Sequence, residues 1–363
     1  MGSEQFLLDL VNDDSSSDDD FIFEQVVRQR RRRFRPRTDY FLWEEIDFRA
    51  RFRVSRNLAK VLVNMLDSRL RRLTKRNNAI TPVDQILLAL QFYASGSFLR
   101  CVGDSKGVHK STVCRAIHTV SKELAKLRPH FIFMPRNENE RKATVNSFYN
   151  ISRFPKVVGA IDCTHVYIQS PGGNNAEYYR NRKDSFSLNV QVVADANCYI
   201  KNIVARWPGG SHDSHIFDSS NIKGRMEDGE FGDTWLLGDR GYALRSFLLT
   251  PLANPTTAGE HLYNESHIRT RNVVERTFGC WKRRFPAIGS KLRVNLKYMQ
   301  AIIVATAVLH NICRKMNEEQ PPDLVDINEE IDIVHETGTN YEDSTRGELI
   351  SSYFDRLADN HII

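Results

Sequence analysis

Several sequence features that would assign this chain to a familiar class are missing. The chain has only six cysteines in 363 residues, and no two of them form a CxxC pair, which excludes a zinc knuckle and a disulfide framework. No uninterrupted apolar run reaches the ~18 residues that cross a bilayer, and no internal repeat is visible. Residues 1–20 are acidic and serine-rich rather than basic and then apolar, so they do not predict a secretory signal. We therefore expect an intracellular protein with reduced thiols and no membrane association.

Charge is plentiful but unevenly distributed along the chain. The formal net charge is +6, yet residues 1–20 and the chain from about Glu318 onward are acidic, whereas residues 28–37 contain a dense arginine block. A basic interior between acidic ends indicates a polyanionic partner, most simply nucleic acid. The arginine block itself is typical of nuclear import or phosphate contact, and its simpler interpretation is a solvated, disordered segment.

Periodicity divides the chain into segments of different character. Apolar residues first recur at helical spacing and later at the strand spacing of two, so we predict an all-α region followed by an α/β domain with a mixed sheet flanked by helices. The predicted segments are a disordered acidic and arginine-rich N-terminus (1–38), a helical domain (39–130), a connector (131–156), the α/β domain (157–317) and an acidic C-terminal tail (318–363).

Residues 80–127 have the pattern of a helix-turn-helix unit. Thr81 and Pro82 are a favourable N-cap and first helical residue. After a glycine-containing turn, residues 111–124 have a polar start and a buried apolar stripe, as a recognition helix does. The predicted DNA contacts are Lys110, Ser111, Thr112 and Arg115. A helical-bundle unit without DNA contacts remains the alternative.

The second half of the chain contains the strand-like segments. The predicted strands are 157–162, 165–169, 187–194, 199–206 and 234–239. The predicted helices are 214–222, 242–250, 268–284 and 295–316.

Three acidic residues occupy positions suited to metal chemistry. Asp162 and Asp239 each close an apolar strand, and Glu275 lies at the border of an apolar helix face. Carboxylates that converge in this way suit Mg²⁺ or Mn²⁺, and such ions promote phosphodiester cleavage. Each residue also has a structural interpretation: Asp162 as a turn former, Asp239 as a helix N-cap, and Glu275 as an exposed partner of Arg271.

The helix that carries Glu275 is also basic. We expect four of its side chains to hold DNA phosphates near the metals, namely Arg271, Arg276, Lys282 and Arg283.

A histidine-containing cluster is the rival site. His212 and Asp213 could bind a transition metal or act as acid and base in a small-substrate phosphohydrolase. The alternative is that Ser211 and Asp213 cap a helix beginning near Ser214, beside the active site. We expect three residues to contact and orient the metal ligands without binding the metal themselves, namely His165, His212 and Asp213.

Five segments together carry a family resemblance. They are Gly-Ala-Ile-Asp-Cys-Thr-His-Val (159–166), Pro-Gly-Gly-Ser-His-Asp-Ser (208–214), Leu-Gly-Asp-Arg-Gly-Tyr (237–242), Arg-Asn-Val-Val-Glu-Arg-Thr-Phe-Gly (271–279) and Val-Leu-His-Asn-Ile-Cys (308–313). In this order they resemble the DDE domain of the PIF/Harbinger transposases, most closely the animal Harbinger-derived nucleases. The likeness covers about 155–317, and 80–127 more loosely.

The resemblance implies an RNase H-like fold and a two-metal nuclease acting on double-stranded DNA. It implies that Asp162, Asp239 and Glu275 are the catalytic triad and bind Mg²⁺ or Mn²⁺. It also implies a Myb-like DNA-binding partner, with location in the nucleus and also the cytoplasm. An oligomer is compatible with the sequence. A domesticated nuclease without transposition and a non-catalytic nuclear DNA-binding protein are the two functions left open.

Overall fold

Residues 45–70 and 82–152 form a series of helices, as the apolar spacing after residue 38 predicts. The computed structural model describes residues 37–72, 78–320 and 344–359. Residues 1–36 of the predicted disordered N-terminus, and with them the arginine block at 28–37 except Arg37, therefore lie outside the described residues. A 3-10 turn at Tyr40–Leu42 precedes the helices. These are α1 (Glu45–Phe52), α2 (Arg56–Leu70), α3 (Pro82–Ser95), α4 (Leu99–Lys106), α5 (Lys110–Ala125), α6 (Arg128–Phe131) and α7 (Glu138–Ser152).

Local capping chemistry sets the bounds of these helices. The Thr81 hydroxyl accepts from Asp84 N, and Pro82 is the first residue of α3. Gly96 ends α3 with φ of +62°, a left-handed conformation that costs glycine little. Gly107 has the same role after α4. The start of α3 predicted from Thr81 and Pro82 is therefore confirmed.

A five-stranded mixed sheet follows the helical region. Its strands are β1 (Val157–Tyr167), β2 (Ser187–Ala194), β3 (Ile200–Pro208), β4 (Trp235–Leu237) and β5 (Leu248–Leu249). The order is β3-β2-β1-β4-β5. The first three strands are antiparallel, whereas β4 and β5 run parallel to β1. With helices on both sides, this is the RNase H-like arrangement that the resemblance implies.

The helices of the second half are α8 (Asp213–Asp218), α9 (Asn221–Glu227), α10 (Ala258–Arg284), α11 (Pro286–Gly289) and α12 (Leu296–Lys315). The C-terminal segment adds α13 (Ser344–Leu349), a π-helical turn (Ile350–Phe354) and α14 (Asp355–Asp359). Residues 344–359, inside the predicted acidic tail, are thus helical.

Some predicted elements are wrong in detail. The segments 157–162 and 165–169 do not form two strands, because β1 continues through Asp162 along β2. The predicted helix at 242–250 is a loop that ends in β5, where Leu248 and Leu249 pair with β4. The predicted helix at 214–222 is two helices, since Ser220 caps α9.

Helix α10 begins ten residues before the predicted residue 268. The reason is a capping box between Thr257 and Glu260, in which each side chain satisfies a backbone N–H of the first turn. The amphipathic pattern of the early turns is weak, because buried polar residues such as Asn264 and His267 replace apolar ones.

Helix α12 is long and apolar enough to cross a membrane by length and composition, with a mean hydropathy of 1.3. However, 67% of its most apolar stretch is buried inside the protein, where it packs against α5 and β3. Its apolar character is therefore explained by its place in the core.

One continuous apolar core joins the helical region to the sheet. It extends from Tyr40 through Phe48, Leu87 and Val192 to Phe354. A second apolar cluster lies on the other face of the sheet and includes Ile161, Val193 and Phe217 of α8. The helical region therefore shares its interior with the sheet. The domain boundaries near residues 130 and 156 stay a prediction.

Candidate active site

The site lies where β4 ends and β1 continues. In the parallel pairing of these strands, Ala160 is opposite Leu237, and two residues further along each chain lie Asp162 and Asp239. Alternation in a strand places residues two apart on the same face. Because β4 stops at Leu237, the edge of β1 beside Asp162 is open on this side. The strand ends thus bring two acidic side chains to one edge of the sheet.

Helix α10 brings the third acidic residue to this edge through an arginine. The Arg271 guanidinium donates from Nη1 to Asp162 Oδ2 at 2.9 Å and from Nη2 to Glu275 Oε1 at 2.5 Å. The side chains of Asp162 and Arg271 are about 15% and 14% exposed, whereas that of Glu275 is 40% exposed. Glu275 is therefore the helical partner of Arg271, as its structural interpretation expects, but this pair also reaches the strand.

The carboxylates impose a strong negative potential on one another. Burial and then the charge of Asp239 raise the pKa of Asp162 to about 7, although Arg271 opposes the shift. Burial likewise raises the pKa of Asp239, and the charge of Arg271 again opposes the shift. Burial works against the charge on Arg271, yet the surrounding carboxylates, Asp162 foremost, raise its pKa. One buried positive charge therefore compensates several acidic groups only in part.

A fourth carboxylate, Asp213, approaches the same place. Asp213 is near enough to raise the pKa values of both Asp162 and Asp239, although burial is the first cause for each. Its Oδ1 accepts from Asn189 Nδ2 at 2.8 Å. The expectation that Ser211 and Asp213 cap α8 is wrong, because His212 is the N-cap residue and the Asp213 side chain is turned to Asn189.

Asn189 is a site residue that sequence reasoning missed. It lies in the fully buried strand β2, opposite His165 of β1. An asparagine inside a buried strand is itself a signal, because its amide needs a polar partner there. Its second donor contact is to Ser211 O, at 2.9 Å, so Asn189 fixes the loop that carries Asp213.

The two predicted histidines lie beside the acids. His165 Nδ1 lies 3.1 Å from Ser187 Oγ, and burial lowers its pKa while Asp213 opposes the change. His212 Nδ1 accepts from Arg182 Nη2 at 3.0 Å. Both histidines, Asp213 and Asp239 line one cavity of about 430 Å³. His165, His212 and Asp213 are thus brought to the site, and Asp213 approaches the carboxylates.

The loop before α8 depends on a glycine. Gly209 N donates to Ser187 O at 2.8 Å, and Gly210 N donates to Tyr178 O at 3.0 Å. A Cβ atom at Gly209 would lie 2.2 Å from Ser187 Oγ and 2.7 Å from Tyr179 O. Only glycine permits this close approach, which closes the wall of the cavity.

The basic residues predicted on α10 are divided among different surroundings. Arg271 lies inside the acidic cluster, and Lys282 is near enough to His165 to lower its pKa, after the larger effect of burial. Arg276 is exposed and close to Cys198 in the β2–β3 turn, and Arg283 Nη2 lies 3.8 Å from Cys280 Sγ. Lys282 is therefore the member of the set, besides Arg271, that the structure brings toward the site.

The residues predicted on α5 are accessible. Lys110, Ser111 and Arg115 are exposed and Thr112 is half-buried, whereas Val113 and Ile117 face the core. Their contact with DNA stays a prediction.

The donor set fits a hard divalent cation. Asp162, Asp239, Glu275 and Asp213 supply only carboxylate oxygens, and the raised pKa values of Asp162 and Asp239 show a potential that a cation would relieve. Within residues 37–72, 78–320 and 344–359, no three His, Cys, Asp or Glu side chains lie close enough together to hold a metal ion in their present positions. The guanidinium of Arg271 bridges two of the candidate ligands instead.

Comparison with known proteins agrees with this architecture. The profile of the family described as "DDE superfamily endonuclease" matches residues 161–311, which contain all four acids. A mouse (Mus musculus) protein named "Putative nuclease HARBI1" is 39% identical over 69% of this chain and 72% of its own length. The chain belongs to the Harbinger-derived nucleases of the DDE superfamily.

Further members of this family show the same range of similarity. "Putative nuclease HARBI1" of Homo sapiens is 37% identical over 69% of this chain and 72% of its own length. The Xenopus laevis protein of the same name is 32% identical over 76% of this chain and 77% of its own length. No solved structure is significantly similar to the chain.

Proposed function

We propose that this protein is a divalent-metal-dependent endonuclease that hydrolyses phosphodiester bonds in double-stranded DNA. The observation that carries the proposal is the position of Arg271 at the strand edge of an RNase H-like sheet, where it pairs with Asp162 and Glu275 and lies near enough to Asp239 to lower its pKa against the effect of burial. These three residues would hold the metal, Mg²⁺ or Mn²⁺, and Asp213 is a fourth candidate ligand. The chemistry that such a cation supplies is activation of water and stabilisation of the leaving oxygen.

The remaining residues of the site have roles that follow from their contacts. Asn189 orients Asp213, and Arg182 holds His212 through Nδ1. Lys282 provides positive charge on the side of His165, where a phosphate would need it. Gly209 and Gly210 let the loop before α8 pack closely against Tyr178, Tyr179 and Ser187, which shapes the wall of the cavity.

The test is cleavage of an end-labelled DNA duplex with Mn²⁺ or Mg²⁺. We compare the wild type with Asp239→Asn and with EDTA, and use Asp233→Asn as the matched control, since Asp233 is an exposed aspartate just before β4. We expect cleavage by the wild type and the control, and a loss of at least a hundredfold in Asp239→Asn. Cleavage that survives both Asp239→Asn and EDTA contradicts the proposal.

The second candidate function is a DNA-binding protein without catalysis. The observation favouring it is the double ion pair of Arg271, which gives Asp162 and Glu275 a structural role of their own. This function predicts that the wild type binds duplex DNA but does not cleave it with either metal. A variant Asp162→Asn that binds DNA like the wild type, while the wild type cleaves, decides for the nuclease.

We also propose that the protein acts in the nucleus, is found in the cytoplasm as well, and works with a Myb-like DNA-binding partner. The arginine block at 28–37, which is typical of an import signal, supports the nuclear location. The partner and the cytoplasmic location rest on the family resemblance alone. Deleting residues 28–37 should shift a fluorescent fusion toward the cytoplasm. Unchanged nuclear accumulation, in cells that lack the partner, would contradict a role of this block in import.

A further inference from the structure

A row of basic side chains follows the sheet beyond the end of β1. Lys291, Arg293 and Lys297 are exposed, whereas Leu292 between them is buried. Leu292 N donates to Tyr167 O at 2.8 Å, so this segment lies against the end of β1. The backbone alternation turns Lys291 and Arg293 outward together. We name Lys291, Arg293 and Lys297 the basic edge.

Helix α5 forms the opposite wall of a cleft with this edge. A cavity of about 740 Å³ is lined by Cys114 and His118 of α5 and by residues 293–296. The His118 ring stacks on Tyr298 with centroids 3.3 Å apart. Lys297 is close enough to contribute to the lowered pKa of His118, after burial. The predicted recognition helix α5 and the α/β domain thus border the same cleft.

The wall of the cleft that α5 forms is also positively charged. On a helix, residues four apart share one face, so Lys110 and Lys122 lie on the stripe of Cys114 and His118. Both lysines are exposed. Positive side chains therefore flank the cleft on both sides.

Within the described residues, these charges have no acidic partner. No Asp or Glu lines the cavity, and neither the basic edge nor Lys110 and Lys122 form an ion pair within the described part of the chain. Some exposed bases elsewhere are paired, namely Lys142 with Glu138, Lys156 with Asp233 and Arg269 with Glu265. Uncompensated positive charge on two walls fits a polyanion.

The cleft adjoins the candidate active site. The 3-10 turn Ala176–Tyr179 separates the two cavities, because Tyr179 lines the cleft while the next residue, Arg180, lines the cavity of Asp213 and Asp239. A strand bound in the cleft would therefore continue toward the carboxylates.

We propose that the sugar-phosphate backbone of duplex DNA binds in this cleft, between the basic edge and α5. The proposal rests on the proposed nuclease function and names the surface that delivers the substrate. It assigns phosphate contacts to Lys291, Arg293 and Lys297. Such contacts position the duplex without reading its sequence.

The test is duplex binding in EDTA, where no cleavage interferes. Anisotropy of a fluorescein-labelled 40-base-pair duplex is measured across a KCl series. The edge variant is Lys291→Glu, Arg293→Glu, Lys297→Glu. The matched control has the same charge change at paired sites: Lys142→Glu, Lys156→Glu, Arg269→Glu. Lys156 precedes β1, so it lies at the opposite end of that strand from the basic edge.

We expect the edge variant to bind at least tenfold more weakly than the wild type, and the control less than threefold. Each lost phosphate contact lowers the salt slope by about 0.9, so the slope of the edge variant should fall by roughly two to three. A variant with glutamine at the same three positions should show a smaller loss in the same direction. If the glutamate variant does not fold, the binding affinity of the glutamine variant tests the proposal instead.

The outcomes separate this inference from the proposed function. Equal losses in the edge variant and the control overturn the cleft as the binding surface, while the nuclease proposal stands. A wild type that binds no duplex, at low salt and with both metals, overturns both. Tighter binding of an RNA duplex of the same sequence, also lost in the edge variant, overturns the assignment to DNA.

Discussion

At the scale of single residues, Arg271 offsets part of the negative charge of the acidic cluster. Its guanidinium bonds both Asp162 and Glu275 and offsets charges that would otherwise be costly to bury. If a divalent cation binds through the same oxygens, as proposed above, it would draw on the same negative charge as Arg271. On that proposal we expect Arg271 to compete with the cation for the carboxylates.

This competition predicts the effect of Arg271→Gln. The amide keeps hydrogen-bonding capacity but removes the competing charge, so we expect the Mn²⁺ dissociation constant, measured by calorimetry, to fall about tenfold, or ~1.4 kcal/mol. The melting temperature in EDTA should fall as well. Arg269→Gln is the control, because Arg269 forms the same kind of helical pair with Glu265 at 66% exposure. Weaker Mn²⁺ binding by Arg271→Gln would show that Arg271 organises the ligands rather than competing.

Asp162 predicts how stability depends on pH in the absence of metal. Its folded pKa of about 7 lies above the ~3.9 of an unfolded chain. The folded state therefore keeps a proton that the unfolded state has lost, and this contribution to stability disappears as pH rises from about 4 through 7. Relative to Asp162→Asn, the wild type should lose on the order of 2 kcal/mol between pH 5 and pH 8.

The measurement is urea unfolding in EDTA at several pH values. Asp233→Asn serves as the control, since Asp233 is exposed on the surface. Adding Mn²⁺ at pH 8 should restore stability to the wild type and not to Asp162→Asn. Wild-type and Asp162→Asn curves that stay parallel across this pH range would contradict the raised pKa.

At the scale of elements, the sequence predicts what periodicity and capping determine. Strand β2 (Ser187–Ala194) has the predicted bounds, and α12 differs from its prediction by one residue at each end. Thr81 and Gly96 mark α3 correctly. In these cases a local signal and the tertiary environment favour the same structure.

The elements that could not be predicted depend on partners distant in sequence. Leu248 and Leu249 form β5 only because β4 lies beside them, while their own spacing suits a helix equally well. Strand β1 continues through Asp162 because β2 pairs with it. The early turns of α10 bury polar residues, and their partners are not visible in the sequence; His267, for example, bonds Leu249 O at 3.0 Å.

The candidate site, like the fold, could be predicted from the sequence only in part. Asp162, Asp239 and Glu275 are recognisable because each follows a strand or helix pattern and belongs to a motif. Helical spacing also predicts the pair of Arg271 with Glu275. The bond from Arg271 to Asp162 is not recognisable in the sequence, because it joins α10 to a strand more than a hundred residues away. Asn189 was missed because only the pairing of β1, β2 and the α8 loop gives it a partner.

At the scale of the whole molecule, a buried arginine joins three distant parts of the chain. Arg284, the last residue of α10, is 1% exposed. It donates to Arg53 O at 2.9 Å and to Glu319 O at 2.8 Å. Next to it, Glu318 accepts from Ser55 N at 2.9 Å and from Arg49 Nη1 at 3.1 Å. The helical region, α10 and the segment after α12 are thereby fixed to one another.

This junction predicts the response to Arg284→Met. Methionine fills much of the volume but leaves buried carbonyl oxygens without donors, which costs about 3 kcal/mol of unfolding free energy. The apolar core that runs from Tyr40 to Phe354 remains intact, so calorimetry should still show one transition, shifted to lower temperature. Arg283→Met, at the neighbouring half-buried position, should shift it much less. Two separate transitions in Arg284→Met would mean that this arginine, rather than the shared core, couples the helical region to the sheet.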